Sequence, residues 1–210
     1  MTTFIERPAT KASLVRRKLI LGVATNDAPY MTQDRTGTKV LRCPYYVTWL
    51  HMIKRCYCPK HQADRPTYIG CTVSADWLLF SNFKAWMVQQ DWQGNTLDKD
   101  LLLIGNKVYC AKYCVFISKE LNNVIKLPQT KQNGLPLGVW LSTGYATKTR
   151  YTTHISRGKL PTICKSNFLT PDDAHIFYKQ EKRKHLLYLA TTQQDKRVKA
   201  GLLNWANYYR

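Results

Sequence analysis

The chain has 210 residues, 44% of them hydrophobic and including 13 Tyr, 6 Trp and 6 Phe, a composition that excludes a disordered chain and supports a core. Its 32 Lys plus Arg against 13 Asp plus Glu give a formal net charge of +19, which points to a polyanionic partner, nucleic acid ahead of an anionic membrane surface. No apolar run approaches the roughly 20 residues of a membrane span, so no membrane partner is expected.

Residues 1–43 read as a basic N-terminal arm. Arg16, Arg17 and Lys18 precede Leu19-Ile20-Leu21-Gly22-Val23, which lacks the order of a signal peptide. Seven cysteines, an odd number, with no export signal lead us to expect reduced thiols in a cytoplasm. The spacings Cys56-x-Cys58 and Cys110-x3-Cys114 are not the repeated Cys-x2-Cys of a zinc site, so zinc is not expected.

From Tyr45 the pattern is helical. Trp49, Met52, Ile53 and Cys56 recur at i, i+3, i+4 and i+7, one buried face, and Pro59 ends it. Tyr68 to Val73 reads as a short strand. Ser74 or Asp76 then caps a helix from Trp77 to Met87, with Phe80, Phe83 and Met87 on one face.

Thr96 to Leu103 is a β-branched and apolar run interrupted by Asp98, Lys99 and Asp100. Ile104-Gly105-Asn106-Lys107 is a turn, because Gly and Asn tolerate positive φ. Val115-Phe116-Ile117 suits a strand, and Ser118 an N-cap ahead of Lys119-Glu120-Leu121-Asn122-Asn123. The order is strand, long turn, strand, helix. Such an element can bring Asp98 and Asn122 together as two oxygen ligands for one hard divalent ion, Mg²⁺ or Mn²⁺. That ion would polarise a phosphoryl oxygen in phosphodiester hydrolysis.

Residues 126–134 are polar, with Pro and Gly, and read as a linker. Beyond it, Gly138-Val139-Trp140, Tyr145 to Lys148, Tyr151 to Ile155 and Thr162 to Lys165 read as short strands, with Arg157-Gly158-Lys159 as a hairpin turn. Thr170-Pro171-Asp172-Asp173 opens a helix. Ala174, Phe177, Tyr178, His185, Leu186 and Leu189 line one face of it to about residue 190. From Lys126 onward there are 15 basic and 4 acidic residues. The tail, 191–210, is helix-compatible, and Leu202, Leu203, Trp205 and Ala206 can dock it on what precedes.

Trp49-x6-Cys56-Tyr57, Tyr68-Ile69-Gly70-Cys71-x5-Trp77-Leu78-x4-Phe83, Leu97-Asp98-Lys99-Asp100 and Gly105-Asn106-x-x-Tyr109-x4-Cys114-Val115-Phe116 follow in that order over about 80 residues. This set resembles the HNH (ββα-metal) nucleases of bacteriophage homing type. The resemblance implies an α+β fold in which a ββα-metal nuclease module, residues 44–125, is buttressed by helices. It implies Asp98 as the strand ligand, Asn106 as the loop Asn and Asn122 as the helix ligand, with Asn123 as the alternative register. Where the family has a catalytic His, this chain has Lys99, so Asp100 or a metal-bound hydroxide is left to take the proton.

The later segment, with Gly-Val-Trp opening the strands and Thr-Pro-Asp-Asp-Ala opening the helix, resembles the three-stranded DNA-binding domains of the APETALA/ERF type over about 55 residues. That implies a small sheet-plus-helix domain at 135–190 contacting duplex DNA through Trp140, Lys148, Arg150, Tyr151, His154, Arg157 and Lys159. The expected function is a DNA-binding, divalent-metal-dependent endonuclease in a host bacterial cytoplasm. Its rivals are an inactive DNA-binding protein on the same scaffold and a factor that binds RNA or a host protein.

Overall fold

The computed structural model describes residues 4–36, 40–125, 134–142 and 150–210. It is a mixture of helices and small sheets, compatible with an α+β class, and the chain divides into two compact units that interleave in sequence. The first comprises 1–93 and 105–116, the second 94–104 and 117–210.

The first unit starts with the short helix α1 (Lys11–Val15) and the antiparallel pair β1 (Gln33–Asp34) and β2 (Leu41–Arg42). The expected basic arm is partly internal. The Arg17 guanidinium donates to the carbonyls of Asn26, Ala28 and Tyr30, pinning a loop whose Ala28 and Tyr30 are buried. Helix α2 (Pro44–Tyr57) buries Trp49, Met52, Ile53 and Cys56, the face the 3.6-residue period selects. α3 (Pro59–Asp64) follows directly.

Two elements are shorter than the sequence suggests. Of the expected strand from Tyr68, only Thr72–Val73 is extended, forming β3. Pro66 fixes φ and starts a 3₁₀ turn through Tyr68, and Cys71 N–H returns to Tyr68 O. The helix expected from Trp77 to Met87 breaks at Leu79. Thr25 bridges to Leu79 and its carbonyl accepts the Phe80 N–H, which pulls Leu79 into an extended conformation. A 3₁₀ turn (Ala75–Leu78) therefore precedes α4 (Phe80–Val88). Trp49, Phe80, Phe83 and Met87 are each at most 1% exposed, and burying such side chains contributes about 1.5–3 kcal/mol apiece. The Trp49 indole N–H is matched by Trp77 O at 2.7 Å. β5 (Val108–Tyr109) pairs in parallel with β3.

The second unit begins with β4 (Thr96–Asp98). The apolar run to Leu103 does not stay extended, because Asp98 turns the chain. β6 (Val115–Ile117) reaches this unit at Ile117. α5 (Lys119–Val124) follows at once, its Ser118 N-cap accepting from Leu121 N–H. The linker expected at 126–134 lies outside the described residues except for Gly134.

Beyond it an antiparallel sheet orders β7 (Val139–Ser142), β8 (Arg150–Arg157) and β9 (Leu160–Phe168). The strand expected at Tyr145 to Lys148 falls outside the described residues. α6 (Pro171–Thr192) packs on the sheet and α7 (Lys196–Tyr208) packs on α6. Thr170 caps α6 by accepting from Asp173 N–H, as the Thr-Pro-Asp-Asp start predicts. The buried face of α6 is Ala174, Tyr178, Lys182, His185, Leu186 and Ala190. Phe177 and Leu189, expected there, are only half-buried. Gly138 has φ +77°, and a Cβ there would lie 2.3 Å from the Tyr178 ring, so glycine alone lets β7 start against α6. Among the described residues no helix is long and apolar enough to cross a membrane.

Candidate active site

The Asp98 turn is built from its own backbone. Asp98 Oδ1 accepts the N–H of Asp100 at 2.9 Å and of Leu101 at 2.6 Å, the side-chain-to-backbone pattern by which Asp ends regular structure. The residue is 7% exposed. Its carboxyl is pushed up to about 6, first by desolvation; the two amide bonds and Lys99 pull the other way, and the Asp100 charge adds to the rise.

Lys99 is buried, and its Nζ lies 2.7 Å from Asp100 Oδ1, with Asp100 the more solvent-open partner. So at the position where the family resemblance implies a histidine base, the chain holds an ammonium–carboxylate pair.

This turn is gripped from α7. The Leu101 side chain is fully buried, and Gly201 of α7 sits so close that a Cβ would be 2.8 Å from Leu101 O. Trp205, one turn on, donates its indole N–H to Asp100 O at 3.3 Å. The tail expected to dock does dock, through Leu202, Trp205 and Ala206, whereas Leu203 is exposed.

α5 lies against β4, which sets the helix bearing Asn122 beside the strand bearing Asp98. Leu121, Val124 and Ile125 are buried, Asn122 is half-buried and Asn123 is exposed. The carboxyl end of α5 is met by Lys182 Nζ, which bonds Val124 O at 2.5 Å. The tip of the β8–β9 hairpin leans on the same helix, with Gly158 against Glu120 and Val124.

Asn106 belongs to the first unit. It is buried, its Nδ2 donates to Val108 O at 2.8 Å, and its Oδ1 accepts from Val108 N–H at 3.0 Å. It shapes the loop that enters β5.

The residues expected to touch DNA fall into separate groups. Lys148 lies outside the described residues. Alternation along β8 puts Arg150 and His154 on the face opposite Thr153 and Ile155, which are buried. Trp140 joins that outer face, edge-on to His154 with ring centroids 5.3 Å apart. Cys164, in register with His154, has its Sγ 4.0 Å from the His154 Nε2. Tyr151 and Arg157 have the parity of the helix-side residues instead. Arg157 Nε donates to Pro161 O at 2.8 Å. Lys159 is exposed in the hairpin turn, and its charge helps hold the Glu120 carboxyl below its usual value, after the Glu120 amide and the Ser118 hydroxyl.

Two features beside the site have faint sequence signals. A glycine inside an apolar helix, Gly201-Leu202-Leu203, marks a close backbone approach. Lys182 lies four residues after Tyr178 and four before Leu186, in register with the buried face. Neither signal names its partner, Leu101 O for Gly201 and Val124 O for Lys182. His185 falls on the face that the period selects, but that its Nε2 has no hydrogen-bond partner among the described residues is visible only in three dimensions. Among the described residues no three His, Cys, Asp or Glu side chains converge; the candidate donors here are one carboxylate and one amide. Comparison with protein-family models, curated proteins and solved structures gives no match.

Proposed function

We propose that the protein binds duplex DNA and hydrolyses its phosphodiester bonds with a divalent metal ion, in the manner of the phage HNH nucleases it resembles. The observation that carries this reading is Asp98, a carboxylate at a strand end, desolvated, oriented by two backbone amides, with α5 beside it. Mg²⁺ or Mn²⁺ suits this donor set. Such an ion keeps most of its water and takes one or two protein oxygens plus substrate phosphate, and a buried carboxyl pushed up to about 6 is relieved by a cation. Asp98 and the Asn122 amide would hold it, and when bound it would supply Lewis-acid stabilisation of the phosphoryl oxygens. Asp100, the more exposed member of its pair with Lys99, would accept a proton from water. Lys99 supplies positive charge toward a phosphate. The net charge of +19 supports a polyanionic substrate.

Incubation with supercoiled plasmid and Mg²⁺ or Mn²⁺ tests this. Nicking is expected, and Asp98→Ala and Asn122→Ala should each reduce it roughly 100-fold, the scale on which one electrostatic stabiliser is lost, with duplex affinity kept. The Lys99–Asp100 pair favours a second reading, a binding protein without catalysis. Tight duplex binding with no nicking under either ion would establish that reading and end the first.

A further inference from the structure

We infer that the exposed face of α2, with the start of α3 and the end of β2, is a contact surface for the phosphate backbone of duplex DNA. The inference rests on the DNA-binding part of the proposed function and moves its main electrostatic footing into the first unit.

His51 and Lys54 are exposed one helical turn apart on α2, and Arg55 follows beside them. Arg42 is exposed at the end of β2. The guanidinium of Arg55 lies 5.5 Å from the centroid of the Tyr68 ring, and His61 of α3 packs on that ring with centroids 5.7 Å apart. So Tyr68 is shared by two basic side chains. His51, Lys54 and Arg55 share the exposed side of α2, and partial desolvation, then the positive charges of Arg55, Lys54, His61 and Arg42, hold His51 below its ordinary value. None of the four ion pairs found among the described residues involves any of them.

A helix end attracts basic residues through its dipole, and Lys54 and Arg55 do occupy the last turn of α2. That accounts for two charges. It does not account for Arg42, on a separate strand, or for a cluster of like charges that none of those ion pairs neutralises. Like charges brought together repel, and a polyanion relieves the cost. The outer face of the β7–β9 sheet differs. Its central side chains, Trp140, His154 and Cys164, suit base or sugar contact more than phosphate contact.

The test is fluorescence anisotropy of a labelled duplex of ~20 base pairs with the full chain, repeated over a range of NaCl. The double variant Arg42→Ala/Lys54→Ala should lose affinity about tenfold or more near 0.1 M salt. Its slope of log affinity against log salt should shrink by about 2, one unit per phosphate contact. Both side chains are exposed, so an unchanged thermal melt is expected. Should the melt move, Arg42→Lys/Lys54→Arg must restore affinity and slope. A double variant within twofold of the native protein, while Arg150→Ala/Lys159→Ala loses binding, overturns this surface and leaves the DNA-binding reading standing. A native protein with no salt-dependent duplex binding, or one in which the double variant weakens binding only to phosphatidylserine vesicles, overturns both.

Discussion

Two places in the second unit bury ionisable groups, and they solve the problem in opposite ways. At the Asp98 turn the carboxylate is satisfied: two amides bond Oδ1, and an ammonium lies one residue away. At the centre of α6, Lys182 bonds the Val124 carbonyl, and the buried Nε2 of His185 has no hydrogen-bond partner among the described residues. Desolvation dominates at both. It pushes Asp98 up to about 6, but Lys182 down to about 8 and His185 down to about 4, the last reinforced by the charges of Lys182 and Arg157. Burial penalises whichever form is charged, so the acid becomes reluctant to lose a proton and the bases reluctant to gain one. A reluctant carboxylate is relieved by a cation, the role the proposed function gives Asp98. The reluctant ammonium of Lys182 holds the carboxyl end of α5.

The contrast breaks most severely where the acidic turn is gripped. Gly201→Val drives side-chain carbons into Leu101 O, which would be 2.8 Å from the Cβ alone. Overpacking of this kind costs about 1–3 kcal/mol, and here the obstacle is backbone, so the upper end or beyond is expected. The urea midpoint should fall by more than 1 M, taking a slope of about 2 kcal/mol per molar. Asp98 should also lose its raised pKa as water enters the loosened turn. The carboxyl end of α5, held from α6, should be spared, which protection of its amides from hydrogen exchange would show. An unchanged midpoint would mean that α7 does not hold the turn.

How much of this was legible beforehand follows from the range of each interaction. The α2 face, the Ser118 cap and the start of α6 are set by neighbours within four residues, and the sequence shows them. The order β4, loop, β6, α5 was readable too, because turn and strand residues are local signals. The break at Leu79 was not, since it depends on Thr25, 54 residues earlier in the chain. Nor was the grip on Leu101, which depends on Gly201, or the placing of Tyr151 and Arg157 on the helix side of β8, which depends on where Thr153 and Ile155 are buried. Of the candidate site, the residues Asp98, Lys99 and Asp100 were legible as a cluster. The burial of Asp98 and Lys99, and the pairing of Lys99 with Asp100, were not.

A second, comparably large effect sharpens the comparison through pH. Asp98 is raised from 3.8 to about 6, so the native state holds more protons than the unfolded chain in that window. Stability from this group is full at low pH and is lost as pH rises through about 6. His185 is lowered from 6.5 to about 4, so the unfolded chain holds more protons, and stability rises over the same window. In the native protein the two oppose each other. Asp98→Asn should leave a rise of about 2–3 kcal/mol between pH 4 and 6.5, and His185→Gln a fall of similar size, both by urea titration at stepped pH. Saturating Mg²⁺ should flatten the fall in His185→Gln, because a cation on Asp98 returns its carboxyl to the ordinary range. Parallel pH profiles for the two variants would sink the assignment of opposite signs.

The smallest effect separates the grip from mere packing. Trp205→Phe keeps an aromatic ring at a site 1% exposed but removes the indole N–H that meets Asp100 O at 3.3 Å. A hydrogen bond of that length contributes about 1 kcal/mol or less. The urea midpoint should therefore drop by roughly half a molar, well short of the Gly201→Val change. The informative readout is the Asp98 window. If Trp205 positions the 100–101 peptide, loosening its carbonyl weakens the Leu101 N–H of the same peptide as a donor to Asp98 Oδ1. One of the two bonds that hold the carboxyl down is then lost, and its pKa should move up, above about 6, while that of His185 stays where it is. A stability loss with both windows unmoved would assign Trp205 to the core alone and leave Leu101 and Gly201 as the whole of the grip.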